Sequence, residues 1–206
     1  MIKKVIGIIS YLPDNQQIKD QRLKLLISLV NKCNQLFNLP IIIIAQNWPE
    51  IELFNCSIKK YPKLGITGAR KELRTQFLGS EFDYLIMLDD DCKLEGTSGA
   101  EYLKQIDEHP GMFGEFKKTL LKLFAISKEI FQLEDFDDIN PEKEEGFEDR
   151  IFVNKLRKKY PNKRFEFKNT KIEEHSIATR DPLSTWYKNQ DIKKMLENTI
   201  KNIDLI

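Results

Sequence analysis

"DYLIMLDDDCKLEG", residues 83–96, is the stretch on which the fold turns. Five mostly apolar residues, Tyr84 to Leu88, run straight into Asp89, Asp90 and Asp91. The front half has the composition of a buried strand. The back half sets up to three negative charges where that strand ends. Carboxylates so close together repel, and they favour protonation unless a cation offsets them. Ligands of open α/β sheets collect beyond the carboxyl ends of the strands. Hard oxygen ligands at such an end suit Mg²⁺ or Mn²⁺, which bind through one or two carboxylates plus substrate phosphates. The triplet reads as a D-x-D metal and diphosphate site at Asp89 and Asp91, with a solvated acidic turn as the alternative.

Upstream, "KKVIGIIS", residues 3–10, is a β-branched run that predicts the first strand, and "YLPDN" follows as a turn. From Gln16 to Phe37, apolar residues recur at Ile18, Leu25, Leu26, Leu29, Val30, Cys33 and Phe37, the spacing of one helix face. "LPIIIIAQNW" is a continuous apolar run, as in a parallel strand covered on both faces. "TGARKELRTQFLG", residues 67–79, predicts a helix with Gly79 as its C-cap. The order β-α-β-loop-α-β points to an α/β fold with a mostly parallel central sheet flanked by helices.

Downstream, "AEYLKQIDEH" predicts a short helix stopped by Pro110-Gly111. "KTLLKLFAIS" predicts a strand leading into the short helix "KEIFQLEDF", and "INPEKEEG" an acidic loop. "FEDRIFVNKLRKKY" predicts a helix with Ile151, Phe152, Leu156 and Tyr160 on its apolar side. "KRFEFKN" alternates like an edge strand. "QDIKKMLENTIKNIDLI" has helical spacing.

The 206 residues carry 33 Lys and Arg against 32 Asp and Glu, a formal net charge of +1. That balance argues against a broad nucleic-acid-binding surface. The apolar run "PIIIIA" is too short to span a bilayer, and the N-terminus lacks a signal-peptide core. Cys33, Cys56 and Cys92 are odd in number and lack C-x-x-C spacing. Reduced thiols fit them better than a disulfide framework or a zinc site. The expectation is a soluble, cytoplasmic protein.

Three segments, taken in order, resemble nucleotide-sugar glycosyltransferases of the A-type fold, family 2-like and β-1,4-galactosyltransferase-like. In "LGITGARKELRTQFLGSEFDYLIMLDDDC", residues 64–92, Gly65, Ile66, Ala69 and Arg70 match a Gly-Ile-x-x-Ala-Arg-Asn helix start. An apolar strand ending in Asp-x-Asp follows. Lys71 stands in place of the Asn. The second strand ends in Gln46-Asn47-Trp48 where many relatives place an aspartate. "EEGFEDRIFVNKL", residues 144–156, is similar to the Gly-aromatic-Glu-Asp segment of inverting members. "KIEEHSIATRDPLSTWY", residues 171–187, places His175 where those enzymes return a histidine to the metal.

The resemblance implies a Rossmann-like A-type fold and one compact domain. Residues 1–96 would form the nucleotide-sugar half, 97–187 the acceptor and catalytic half, and 188–206 a C-terminal helix. It implies a UDP-sugar donor and a glycan, lipid-linked or peptide acceptor. Mn²⁺ or Mg²⁺ would sit on Asp91, Asp89 and His175. Arg70, Asp89, Asp90 and Arg180 would hold the donor. Asp149 would deprotonate the acceptor hydroxyl and Glu148 bind the acceptor, with inversion at the transferred hexosyl centre. Each residue also has a plain reading: Arg70 as a surface arginine, Glu148 and Asp149 as helix N-terminal charge, His175 as a hydrogen-bonded structural histidine. Two other functions keep a D-x-D after an apolar strand: a haloacid-dehalogenase-type phosphatase, and a nucleotide-sugar-binding module without turnover.

Overall fold

The computed structural model describes residues 2–14, 16–116, 122–137, 148–170 and 172–176, although the side chains of Gln17, Glu148 and 173–176 fall outside that description. In chain order the elements are β1 (Lys4–Tyr11), α1 (Gln16–Phe37), β2 (Ile41–Gln46), β3 (Cys56–Tyr61), α2 (Gly65–Leu78), β4 (Tyr84–Asp89) and β5 (Cys92–Gly96). There follow α3 (Ala100–Glu108), β6 (Phe113–Glu115), β7 (Phe124–Ser127), α4 (Lys128–Leu133), α5 (Glu148–Lys159), β8 (Arg164–Glu166) and β9 (Ile172–Ser176).

Seven strands form one mixed sheet in the order β3-β2-β1-β4-β7-β6-β8. β3, β2, β1 and β4 are parallel neighbours, β7 is antiparallel to both β4 and β6, and β8 is parallel to β6. β7 alone is reversed. The fold class is therefore α/β, with a parallel half and a mixed half that meet between β4 and β7. β5 and β9 form a separate antiparallel pair.

Alternation sorts the side chains of each central strand onto two faces. Ile6 and Ile8 of β1, Ile41 and Ile43 of β2, and Ile86 and Leu88 of β4 join the face packed by α1 and α3. Val5 and Ile9, Ile42 and Ile44, and Leu85 and Met87 join the opposite face, under α2, α4 and α5. Burial on both faces is why β1, β2 and β4 read as continuous apolar runs. Each such Ile or Leu contributes about 1.5–3 kcal/mol on full burial.

α1 spans the expected Gln16–Phe37, and Leu26, Leu29, Val30, Cys33 and Phe37 are buried as its periodicity requires. Gly79 is the α2 C-cap, yet with φ −76° it is right-handed rather than the left-handed cap expected of a glycine. The segment taken as a loop before α2 contains the edge strand β3, whose outward Ser57, Lys59 and Lys60 dilute its apolar signal. β5 and β6 are likewise strands that the sequence reading missed. On α5 the buried side chains are Phe152, Val153 and Leu156, while Ile151 and, just past the helix, Tyr160 are half-buried. β8 is the edge strand expected there. His109 is half-buried and stacks on Phe165 at 4.3 Å. The expected acidic loop and the expected C-terminal helix lie wholly outside the described residues. No helix among the described residues is long and apolar enough to cross a membrane.

Candidate active site

The register brings the carboxyl ends of the parallel strands level. Tyr11 of β1 lies beside Gln46 of β2, Gln46 beside Tyr61 of β3, and Asp89 of β4 beside Ile9 of β1. Gln46 is buried and accepts the Leu64 N–H at 2.7 Å, which fixes the chain just before α2. Gly65 then opens α2 at φ +71°, a left-handed conformation that disfavours any residue with a Cβ. That turn aims α2 across the sheet with Ala69, Leu73 and Phe77 down.

Phase along β4 decides where the three aspartates go. Leu85, Met87 and Asp89 share one face; Ile86, Leu88 and the position of Asp90 share the other. Asp89 thus emerges under α2, where Arg70 Nη2 donates to its Oδ1 at 3.1 Å and to Oδ2 at 3.4 Å. The Arg70 side chain is only 2% exposed, so it is a core cation, not a surface arginine. The Phe136 ring lies 6.0 Å below its guanidinium.

Asp90 turns to the α1 face. Ser10 Oγ donates to its Oδ2 at 2.5 Å, and Arg22 Nη1 donates to Oδ1 at 2.9 Å and to Oδ2 at 3.2 Å. Burial pushes its carboxyl up to about 6, against the Arg22 charge and the Ser10 hydroxyl, with the charges of Asp91 and Asp89 adding to the rise. The sequence reading grouped Asp90 with the donor-binding residues. In the structure Asp90 is 6% exposed and both its oxygens are engaged from inside. Asp90 and Asp91 form the two-residue turn into β5, and Asp91 is half-buried.

The third carboxylate arrives from the other half of the chain. Asp149 lies one turn before Phe152 and Val153, on the stripe of α5 that faces the same sheet surface as Asp89. Its Oδ1 accepts the Arg150 N–H at 2.6 Å. Burial pushes the Asp149 carboxyl above the ordinary aspartate range. The Arg70 charge and the Arg150 N–H pull it back, and the nearby charge of Asp89 pushes it further up. Arg70 therefore acts on both the strand-end carboxylate and the helix-start carboxylate, which are 60 residues apart in sequence (149 − 89).

Glu148 opens α5, but its side chain is outside the described ones. The backbone of His175 pairs with Lys93, two residues after Asp91, which sets β9 beside the acidic turn. The His175 side chain and Arg180 fall outside the described residues. Among the described residues no group of three or more His, Cys, Asp or Glu side chains could hold a metal ion. A cation at this turn would take Asp89 and Asp91 together with phosphate oxygens, hard donors that fit Mg²⁺ or Mn²⁺, and Mn²⁺ also accepts an imidazole beside carboxylates. Two shallow depressions, of about 580 Å³ along α3 and β8 and about 530 Å³ between α1 and β5, do not include Asp89, Arg70 or Asp149 in their walls.

Sequence reasoning missed Arg22 and Ser10. Both carried a signal. Arg22 is in helical phase with Leu26, Leu29 and Cys33, and Ser10 in strand phase with Ile6 and Ile8. A charge and a hydroxyl on buried stripes need partners.

No family model and no curated protein matches the sequence. Solved structures do match. S. aureus TarS superimposes with a TM-score of 0.60 at 13% identity, over 83% of this chain and 36% of that one. A shorter TarS chain in complex with UDP gives 0.58 at 14% identity, over 83% and 59%. The glycosyltransferase GlyE of Streptococcus pneumoniae gives 0.51 at 14% identity, over 82% and 46%. The chain thus spans less than two thirds of the length of these neighbours. A Desulfovibrio desulfuricans protein described as a nucleotide-diphospho-sugar transferase gives 0.51 at 11% identity, over 81% and 80%. At such identities the likeness is one of fold, the Rossmann-like α/β sheet of nucleotide-sugar transferases.

Proposed function

We propose that the protein is a metal-dependent glycosyltransferase that moves a hexosyl group from a UDP-sugar to an acceptor hydroxyl with inversion. One observation carries this reading: Asp89, Arg70 and Asp149, from three separate elements, converge at the carboxyl edge of the parallel strands. The complexes of S. aureus TarS with UDP and with UDP-GlcNAc support a UDP-linked donor for a chain of this fold.

The donor diphosphate lies against the β4–β5 turn and the open start of α2. Asp89, held by Arg70, and Asp91 face it, with His175 of β9 as a further ligand. A divalent cation bound there would supply Lewis-acid stabilisation of the charge on the leaving diphosphate. Arg70 fixes the Asp89 carboxylate, so the turn needs no reorganisation as charge develops. Arg180 pairs the diphosphate. Asp149 accepts the acceptor's hydroxyl proton while that oxygen bonds to the anomeric carbon. The bond from carbon to the β-phosphate oxygen breaks, and its electron pair leaves with UDP. Attack on the opposite face inverts the centre. Glu148 holds the acceptor, whether a glycan, a lipid-linked sugar or a peptide. A carboxyl raised above its ordinary range is the better proton acceptor near neutral pH.

A panel of nucleotide sugars, each with and without Mn²⁺, tests the proposal by thermal shift, since a ligand of the native state alone raises its stability. The expected outcome is stabilisation by UDP-sugars that needs the metal and is lost in Asp91→Ala. Release of phosphate from phosphomonoesters, without any nucleotide-sugar effect, would instead support the phosphatase chemistry. Metal-dependent binding with no transfer or slow hydrolysis would leave a binding module.

A further inference from the structure

Three consecutive aspartates cannot all face the same ligand, and the structure shows two of them gripped from opposite sides of the sheet. Asp89 is gripped by Arg70 of α2, and Asp90 by Arg22 of α1 together with Ser10 of β1. We propose that Arg22 and Ser10 are positioning residues: they draw the Asp90 carboxylate into the α1 face and thereby set the two-residue turn that presents Asp91 and Asp89 to the metal and the diphosphate. The inference rests on the glycosyltransferase reading of this turn and deepens it.

The geometry carries the argument. Asp90 is 6% exposed, and its two oxygens receive three hydrogen bonds. A turn of two residues has few degrees of freedom. Once Asp90 is pinned inward and Asp89 is pinned as the last residue of β4, the direction of Asp91 is set. The pins come from different elements: Ser10 is the next-to-last residue of β1, which pairs with β4, and Arg22 lies in the second turn of α1 with a side chain 20% exposed. Arg22 also supplies the charge that lets a carboxylate remain ionised in that buried place. On this proposal the three aspartates comprise one internal anchor, Asp90, and two groups presented to a ligand, Asp89 and Asp91. Neither arginine needs to touch the donor.

The test uses the full chain, UDP and Mn²⁺. UDP affinity is measured with and without Mn²⁺ for the native protein, Arg22→Met, Arg22→Lys, Asp90→Asn, Asp91→Ala and the double variant Arg22→Met/Asp90→Asn. Outer partners of metal ligands typically change metal affinity by roughly 10–100-fold. Arg22→Met is expected to lose about that factor in Mn²⁺-dependent UDP binding while metal-free UDP binding holds. Arg22→Lys, which keeps the charge, is expected to recover part of the loss. The double variant removes the buried charge together with its partner, so it stays folded if Arg22→Met alone does not. It is expected to bind Mn²⁺ and UDP better than Arg22→Met. Unchanged metal dependence in Arg22→Met would overturn the inference. So would an equal loss of metal-free and metal-dependent binding, which marks a purely structural role. A loss in Asp90→Asn as complete as in Asp91→Ala, without recovery in the double variant, would make Asp90 a ligand and likewise overturn it. A native protein whose UDP affinity ignores Mn²⁺ removes both this inference and the metal reading beneath it.

Discussion

Arg70 is the residue on which the candidate site depends. Its guanidinium is buried, holds Asp89 and lowers the proton affinity of Asp149. Two experiments follow. In Asp149→Asn the side chain keeps its size but cannot take up a proton. UDP binding should survive while kcat falls by about 10²–10⁴-fold, the usual contribution of a general base. Near-native turnover in that variant would remove Asp149 as the base. The second experiment concerns pH. As the proposed base Asp149 would work as the anion, and its folded value lies above the ordinary aspartate value of about 3.9. The acid limb of kcat/KM is therefore expected above that value, with activity lost as pH falls through it. Arg70→Met removes the charge that favours the anion, so the limb should move to higher pH. A limb that stays fixed would show that Arg70 does not act on Asp149. Asp89, Arg70 and Asp149 were each legible in the sequence through motif order. Their convergence was not, because no periodicity relates α2 to a helix 79 residues on. Arg22 and Ser10 were readable in principle, as polar residues in phase with buried stripes.

At the scale of elements, α5 is the piece whose position needs explaining, since half of its face is charged. Two buried carboxylates hold it. Glu115 of β6 accepts from Arg157 Nε at 2.9 Å and from Nη2 at 2.5 Å, and also pairs with Arg164. Glu134, just past α4, accepts from Lys159 at 2.9 Å and from the Tyr160 hydroxyl at 2.8 Å, with Lys155 at 3.5 Å. Burial pushes the Glu134 carboxyl up, but the bonds from Lys159 and Tyr160 and the charges of Lys159 and Lys155 outweigh it and hold it below the ordinary range. A carboxyl depressed on folding contributes stability above its unfolded value, about 4.3, and loses it as pH falls through the folded one. Native unfolding should therefore show a loss of stability on acidification below about pH 4 that Glu134→Gln lacks. At neutral pH the variant should be weaker by about 1 kcal/mol, a modest figure because Lys159 is 55% exposed and water screens the pair. Identical acid profiles for the two proteins would contradict the assignment. Element by element, the long periodic segments were legible: α1, α2, β1, β2 and β4 follow from burial on one or two faces. β3 was not, because an edge strand exposes half of its backbone and carries lysines there. β5 and β6 are too short, at five and three residues, to show a period.

At the scale of the molecule, the site lies on the seam between the parallel half, which ends in Asp89, and the mixed half, which brings Asp149. The seam works only if α2 lies close to the sheet, and Gly7 in the middle of β1 permits this. A Cβ there would stand 2.7 Å from Leu85 and 2.8 Å from Leu73 of α2. Gly7→Ala must push α2 outward or distort β1, at a cost of about 1–3 kcal/mol. For a chain of this size that lowers Tm by roughly 2–4 °C per kcal/mol. Gly114 of β6 is a control at the other end of the sheet. A Cβ there would meet the rings of Phe165 and Phe167, the latter at 2.7 Å, so Gly114→Ala should cost a similar amount of stability. The two variants should part in function. Gly7→Ala shifts the helix that carries Arg70, so at a temperature where both proteins are folded it should also weaken Mn²⁺-dependent UDP binding. Gly114→Ala leaves β1, β4 and α2 in contact and should bind UDP and Mn²⁺ as the native protein does. Equal binding by both variants would mean that the depth of α2 is irrelevant to the site. A loss in Gly114→Ala alone would place the donor on the mixed half of the sheet instead.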